Sequence, residues 1–386
     1  MPLTLQDWFC MRPGRSSFLP RIPEDAELIF CHDLVLHNNI LASIEKAFSL
    51  DEPVKMLLYG DWGVGKTHLL YHICWWLDQN RTNFPAKPLV IEIGDLTRAS
   101  RFDEVVRPFL DRLGLDAVIQ LVQDYRGVKP NLGLALREAG VATHISEAFA
   151  KLLLSAPGSP PAPLVVQAFE YLKGRNIGRA AAAAGLAEPL EQSRDFYDVL
   201  LSLGEMYRTV NNNCRLLFIA DEAAKLEAVE DDMATQQHWV TVNKLIFSNE
   251  NRTFGFIYTI SGRRNDLPSA LWEPQIQNRL GDNAFELANL ALPDVETYLS
   301  KLIAAFVDQA RVQALVTAGS IPAEEYDVSA YPFTVAAKQQ FLDYFNRTQE
   351  DSKPRDISNK MNDLAFIAGK KQKRLIDEEC LRAKDM

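Results

Sequence analysis

Eight consecutive residues, Gly60-Asp61-Trp62-Gly63-Val64-Gly65-Lys66-Thr67, carry the densest chemistry in the chain. They fit the pattern GxxxxGK[ST], follow a short apolar run and open a stretch of helical character, which is the context that gives the pattern meaning. Glycines let successive backbone N–H groups converge on phosphate oxygens, and a helix beginning near Lys66 aims the positive end of its dipole at the same anion. In such a cradle Lys66 reaches the β- and γ-phosphates of a nucleoside triphosphate, the Thr67 hydroxyl ligates Mg²⁺, and His68 follows in the first helical turn. The ligands implied are therefore ATP and Mg²⁺. The competing reading is a glycine turn without a ligand.

A second constellation lies at Leu216-Leu217-Phe218-Ile219-Ala220-Asp221-Glu222, an apolar run that delivers two adjacent carboxylates where a strand would end. Ligands of open parallel sheets sit at that end. Successive residues leaving a strand point to opposite sides, so Asp221 can serve the Mg²⁺ shell while Glu222 polarises a water for in-line attack on a γ-phosphate. Equally, Asp and Glu suit the first turn of a helix, and the pair precedes Ala223-Ala224-Lys225. Further on, Thr259 and Ser261 close another apolar run with hydroxyls able to bond a γ-phosphate or its attacking water, although Ser and Thr also end strands simply as turn residues. Arg279 precedes the last apolar run and Arg355 opens a helical pattern. A guanidinium stays charged and offers phosphate a planar fork, yet each arginine taken singly also reads as a surface ion-pair partner.

These groups need a scaffold, and the apolar pattern supplies one. Five runs predict strands: Val54 to Gly60, Pro88 to Asp95, Arg215 to Asp221, Thr253 to Gly262 and Ala284 to Leu290. Most are nearly continuous rather than alternating, as strands are when helices cover both faces of a parallel sheet. Helical patterns such as Thr67 to Gln79 and Phe102 to Leu113 fall between them. The result is an α/β fold with a parallel five-stranded core. The gap between the second and third runs exceeds one crossover helix, which places a helical insertion at about residues 115–210, broken near Lys129-Pro130 and at Ala156 to Pro163. The run Ala180 to Ala184 favours helix. Beyond Leu290, Pro293 to Phe306, Thr334 to Phe345 and Arg355 to Ala368 carry helical periodicity and predict a C-terminal helical lid.

Composition narrows the class. With 386 residues, 47% hydrophobic and 24% charged, the chain suits two or three packed units and not a disordered, collagen-like or coiled-coil protein. No run is long enough for a membrane span, and Met1 to Phe18 is too interrupted for a secretory leader, so a cytoplasmic location is expected. A net charge of -10 sets the average surface against nucleic acid. The exception is the basic run Lys370 to Arg374, which could touch phosphates or merely complement a helix end. The cysteines, Cys10, Cys31, Cys74, Cys214 and Cys380, are widely spaced and lack a CxxC pair, so neither a disulfide framework nor a zinc cluster is indicated.

Taken in order, the phosphate loop, acidic strand end, polar strand end, arginine before a last strand and Pro354-Arg355 at a helix start resemble the AAA+ ATPases. Within them the series is similar to the branch of origin-recognition-type initiators and transposition-regulator ATPases, over about residues 30–368. The resemblance implies a P-loop ATP hydrolase with Glu222 as catalytic base, Thr259 or Ser261 as first sensor, Arg279 as an arginine finger toward a neighbouring subunit and Arg355 as second sensor. It implies ATP at the junctions of a homo-oligomer, or contact with partner subunits. Domain bounds follow: an N-terminal segment, 1–50; the nucleotide-binding core, 51–290; the lid, 291–368; and a charged tail, 369–386. A fainter resemblance, carried by Phe169-Glu170-Tyr171-Leu172-Lys173-Gly174 and Asp195-Phe196-Tyr197, is to ATP-binding proteins of bacterial phage-defence operons of the BREX kind. Initiator relatives append a winged-helix DNA reader, and the residues after Ala368 are too few for one. The expected function is an ATP-dependent switch or remodelling subunit, with DNA association or antiviral defence as its setting. The alternatives are a nucleotide-binding interaction module without productive hydrolysis and a small-molecule kinase.

Overall fold

The computed structural model describes residues 4–21, 24–28, 34–80, 89–93, 102–155, 160–175, 185–186, 190–211, 215–221, 244, 246, 252–265, 267, 272, 274–348 and 352–386. Among them the elements begin with α1 (Leu5–Trp8), α2 (Leu34–Ser49), β1 (Lys55–Gly60), α3 (Lys66–Gln79) and β2 (Leu89–Ile93). Helices α4 (Phe102–Leu113), α5 (Leu115–Val128), α6 (Leu132–Glu138), α7 (Thr143–Leu152), α8 (Pro163–Leu172) and α9 (Ser193–Val210) follow. Next come β3 (Leu216–Ala220), β4 (Phe254–Ser261), α10 (Pro274–Leu280) and β5 (Ala284–Glu286). The chain then continues as α11 (Leu292–Phe306), α12 (Gln309–Thr317), α13 (Val335–Arg347), α14 (Pro354–Lys370) and α15 (Glu378–Arg382). The elements form two compact units: Asn38–Gly60 with Ile73–Glu286, and Met1–His37 with Asp61–His72 and Leu287–Met386.

The first unit is an α/β layer built on a parallel sheet in the order β2-β3-β4-β1-β5. Its central strands read as apolar runs because both of their faces are covered: every residue of β3 is buried, and β4 is buried up to Ser261. One face carries an aromatic cluster in which Phe109 of α4 packs 4.5 Å from Phe218 of β3 and 5.8 Å from Phe256 of β4. Helices α5 to α9 extend this core without a break, burying Val122, Leu136, Phe149, Leu172 and Leu203 in the same cluster. Two buried charges tie the insertion together. Asp198 accepts hydrogen bonds from the Ala142 N–H at the head of α7 and from Arg194 Nε, both at 2.9 Å. Lys173 meets Asp111 at 2.6 Å and Glu170 at 2.7 Å. Pro88, Gly94, Asp95 and Ala180 to Ala184, which the sequence assigns to a strand and a helix, lie outside the described residues.

The second unit gathers the N-terminal segment and the C-terminal helices around one core. Phe9, Met11 and Phe18 are buried with Leu299, Phe306, Phe341, Ile357 and Leu364. Main-chain pairing fixes the segment in place, with Arg12 N donating to Phe306 O at 2.8 Å and Asp308 N to Cys10 O at 2.8 Å. The same core takes Leu375, Ile376, Cys380 and Leu381 from the last residues of the chain. Among the described residues no helix is long and apolar enough to cross a membrane.

Candidate functional site

In the second unit, Asp61–Gly65 form a turn and α3 starts at Lys66. Gly63 and Gly65 take φ of +87° and +100°, a region that L side chains enter at a cost, which is why the turn needs glycine there. The turn closes on Lys66, whose Nζ donates to Asp61 O at 3.0 Å while the side chain is only 5% exposed. An ammonium held across a glycine turn, at the N-terminus of a helix, is the arrangement that collects phosphate oxygens. Val64 anchors the turn in the interior and Trp62 stands out from it, 57% exposed. Thr67, the first-turn hydroxyl, is half-buried.

The start of α14 lies against this turn. Arg355 N donates to Gly63 O at 3.4 Å, and the Arg355 guanidinium lies 4.9 Å from the Trp62 ring centroid. Lys353 Nζ stands 3.5 Å from the Asp61 carboxylate. The arrangement surrounds the turn with Lys66, Lys353 and Arg355. Sequence reasoning singled out Arg355 and passed over Lys353, although it stands two residues earlier, just before the Pro354 that fixes the helix start.

Behind the turn, the face of α3 is seated on the N-terminal segment. The buried Asp25 carboxylate accepts from both Nη atoms of Arg15 and from the Arg21 N–H, tying those residues to the loop of residues 24–28. That loop presents two carbonyls to histidines: Leu28 O lies 2.5 Å from His68 Nε2, and Ala26 O lies 2.7 Å from His72 Nδ1. Burial lowers the pKa of both rings against those hydrogen bonds. His37, whose ring centroid is 5.0 Å from that of His72, is pushed down to about 4 by burial first and then by His72 and Lys301. The imidazoles are therefore neutral at pH 7. The His68 ring is thus held by main chain, with 6% of the residue exposed.

In the sheet unit, the candidate residues gather at the carboxyl ends of the strands. The register sets Leu58 beside Thr259 and Gly60 beside Ser261, and Gly262 N donates to Gly60 O at 3.0 Å. Asp221 follows β3 directly, and Thr259 Oγ1 donates to its Oδ1 at 2.7 Å in a buried contact. Ser261 Oγ is buried with no hydrogen-bond partner among the described residues. A carboxylate and two hydroxyls at the ends of adjacent parallel strands form a site of the kind that ligates a hydrated Mg²⁺ and reads a terminal phosphate. Glu222 lies outside the described residues. Thr67, the other residue expected to hold Mg²⁺, belongs to the second unit. Among the described residues no three His, Cys, Asp or Glu side chains form a metal cluster, and a Mg²⁺ sharing phosphate and water ligands needs none.

Arg279 is set apart from these residues. It occupies the last turn of α10, ahead of β5, where Nη1 donates to Lys244 O at 2.9 Å, so it lies toward the amino end of the sheet while Asp221 and Ser261 lie at the carboxyl end. The basic run near the C-terminus is engaged within its own unit. Lys371 meets Glu379 at 2.6 Å, Lys373 is bracketed by Asp377 and Glu379, and Lys370 and Arg374 lie over Phe366 and Trp8 at 4.5 and 5.0 Å.

No family model matches the sequence, and no curated protein is similar to it at the sequence level. Solved structures match most of its length. A structure titled as the Aeropyrum pernix ORC1 protein in complex with DNA matches 94% of this chain at 12% identity and a TM-score of 0.45. One of the Aeropyrum pernix ORC2 protein, titled with its ADPNP–ADP complexes, matches 96% at 13% identity and 0.48. One of Cdc6p from Pyrobaculum aerophilum matches 98% at 10% identity and 0.45. The chain spans 66% of the ORC1 chain and 69% of the other two.

Proposed function

We propose that this chain binds ATP with Mg²⁺ and hydrolyses it, acting as an AAA+ type switch on partner subunits or on further copies of itself. The observation that supports the reading is Lys66 closed across the phosphate turn while Arg355, from the helices after the sheet, lies against Gly63. On this reading the backbone from Gly60 to Thr67 and the Lys66 ammonium hold the phosphates, and Arg355 couples their presence to the lid formed by residues 291–368. Thr67 and Asp221 hold Mg²⁺, which would neutralise charge on the β- and γ-phosphates. Thr259 keeps Asp221 oriented, and Ser261 offers its hydroxyl to the γ-phosphate or its water. Glu222 takes the proton of that water as it attacks phosphorus in line; the bond to the β–γ bridging oxygen breaks, and ADP and phosphate leave. Arg279 acts on the nucleotide of a neighbouring copy. Nucleic acid reaching the Lys370 to Arg374 run would compete with the ion pairs that Lys371 and Lys373 make with Asp377 and Glu379.

The test is phosphate release by the full chain, alone and with DNA or candidate partners, compared with Glu222→Gln and Lys66→Ala. Glu222→Gln should bind ATP and lose turnover by at least about a hundredfold, given what a general base contributes. Equal turnover in the wild-type protein and Glu222→Gln removes that role. Tight binding with no turnover under any condition replaces the switch with a nucleotide-stabilised interaction module.

A further inference from the structure

The sheet unit holds a second cationic site, at the end away from Asp221. Lys55 is the first residue of β1, Arg215 directly precedes β3 and Arg252 lies just before β4. With Arg208 near the end of α9 and Arg279 near the end of α10, they line a cleft of about 600 Å³. Among the described residues its carboxylates are Asp51 and Glu52, so five described cations face two described anions in a chain whose net charge is -10. The length of β1 alone separates this cleft from Gly60 and Ser261 by roughly 17 Å.

One residue shows that the charge is built for something. Arg215 is 3% exposed, and among the described residues the carboxylate that bonds it is Asp51, which meets Nη2 at 2.8 Å and also gives that nitrogen its carbonyl oxygen. Arg215 Nε and Nη1 are buried with no hydrogen-bond partner among the described residues, and so is Arg208 Nε. Leaving guanidinium donors buried and unpaired costs more than leaving them in water, so a natural structure retains them where a ligand completes them. Asp51 is already shared, since Arg208 Nη2 stands 3.9 Å from its other oxygen. Lys55 responds to the same imbalance: burial first, then Arg279 and Arg252, push its ammonium down to about 8 against the opposing pull of Glu52. We propose that this cleft binds a small anion bearing a phosphate or pyrophosphate group, seated on Arg215 and Arg208 with Arg252 at its mouth. The volume suits a compact ligand, and the planar forks suit phosphate oxygens bidentately. A nucleic-acid strand or an acidic protein segment would need an extended charged surface, and the cations here converge inside a concavity.

The probe is inorganic pyrophosphate, titrated calorimetrically without Mg²⁺ into full-length Lys66→Ala protein, which disables the phosphate turn and keeps the two sites distinguishable. One-to-one binding, weakened at least tenfold in Lys66→Ala/Arg252→Glu and in Lys66→Ala/Arg208→Gln, supports the site. Arg252 is exposed, so its replacement tests charge without disturbing the core. Binding near pH 8 should take up protons, because an anion raises the Lys55 pKa, and the heat should then vary with the ionisation enthalpy of the buffer. Absence of binding, or binding that both second substitutions leave unchanged, overturns the proposal. So does binding confined to an oligonucleotide or a glutamate-rich peptide of equal charge.

Discussion

Replacing Gly63 by alanine is the most informative single change, because two independent costs meet at its Cβ. The residue holds φ of +87°, where an L side chain costs about 1–2 kcal/mol. A Cβ there would also stand 3.3 Å from Arg355 Cβ, an atom fixed to the start of α14 and unable to swing away as a side-chain tip would. The turn or the helix start must give by a few tenths of an ångström, bringing the total to roughly 2 kcal/mol. Where the free turn relaxes to escape that cost, nucleotide must restore the binding conformation and affinity falls about thirtyfold; where the turn holds, the same cost falls on the melting temperature. The assay is ADP titration into wild-type protein, Gly63→Ala, Arg355→Gly and the pair Gly63→Ala/Arg355→Gly, each with a thermal melt. The double variant removes the close contact and keeps the φ cost, so measured against Arg355→Gly alone the loss caused by Gly63→Ala should shrink. Unchanged affinity and melting temperature in Gly63→Ala would refute the claim that α14 packs on a preformed phosphate turn.

Three further outcomes are expected. Thr259→Val deletes the hydroxyl that donates to Asp221 at 2.7 Å; it should lower turnover at least tenfold and stability by about 2 kcal/mol while ADP binding persists, which phosphate release and denaturant melts would show. His37 has an unfolded pKa of 6.5 and a folded value of about 4. The unfolded chain therefore takes up a proton first as pH falls through 6.5, and stability drops by up to about 3 kcal/mol by pH 4; His37→Asn should flatten that part of the curve in pH-dependent denaturant melts. Because the Arg355 guanidinium covers the Trp62 ring, nucleotide that draws the arginine onto phosphate should change Trp62 emission, and Arg355→Ala should abolish the change.

The parallel layering was legible because continuous apolar runs such as Leu216 to Ala220 leave few alternatives to a strand covered on both faces. The phosphate turn was legible for a different reason, since its glycines, lysine and hydroxyl are consecutive. Strand ends were less so. The run Ala284 to Leu290 looks like one strand, yet only Ala284–Glu286 pair with β1. Leu290 instead gives its N–H to Ser352 O in the helical unit, a partner that periodicity cannot reveal. The last residues, dominated by lysines in sequence, bury Leu375, Ile376 and Cys380 because Lys371 and Lys373 turn back onto Asp377 and Glu379. The carbonyl seats of His68 and His72 were hidden by sequence separation, as was the cationic cleft. One signal for the cleft was available all along: a basic residue stands at or just before the start of β1, β3 and β4. Each looks like an ordinary flanking charge until parallel pairing brings the three strand ends to one edge.

The central claim is that residues 60–67 hold a nucleotide triphosphate through Lys66. Calorimetric titration of Mg·ATP into the full chain and into Lys66→Ala addresses it most directly. The account predicts saturable one-to-one binding in the wild-type protein that Lys66→Ala reduces at least a hundredfold, a loss of about 2.7 kcal/mol. Equal affinity in the two proteins, or no binding in either, would contradict it.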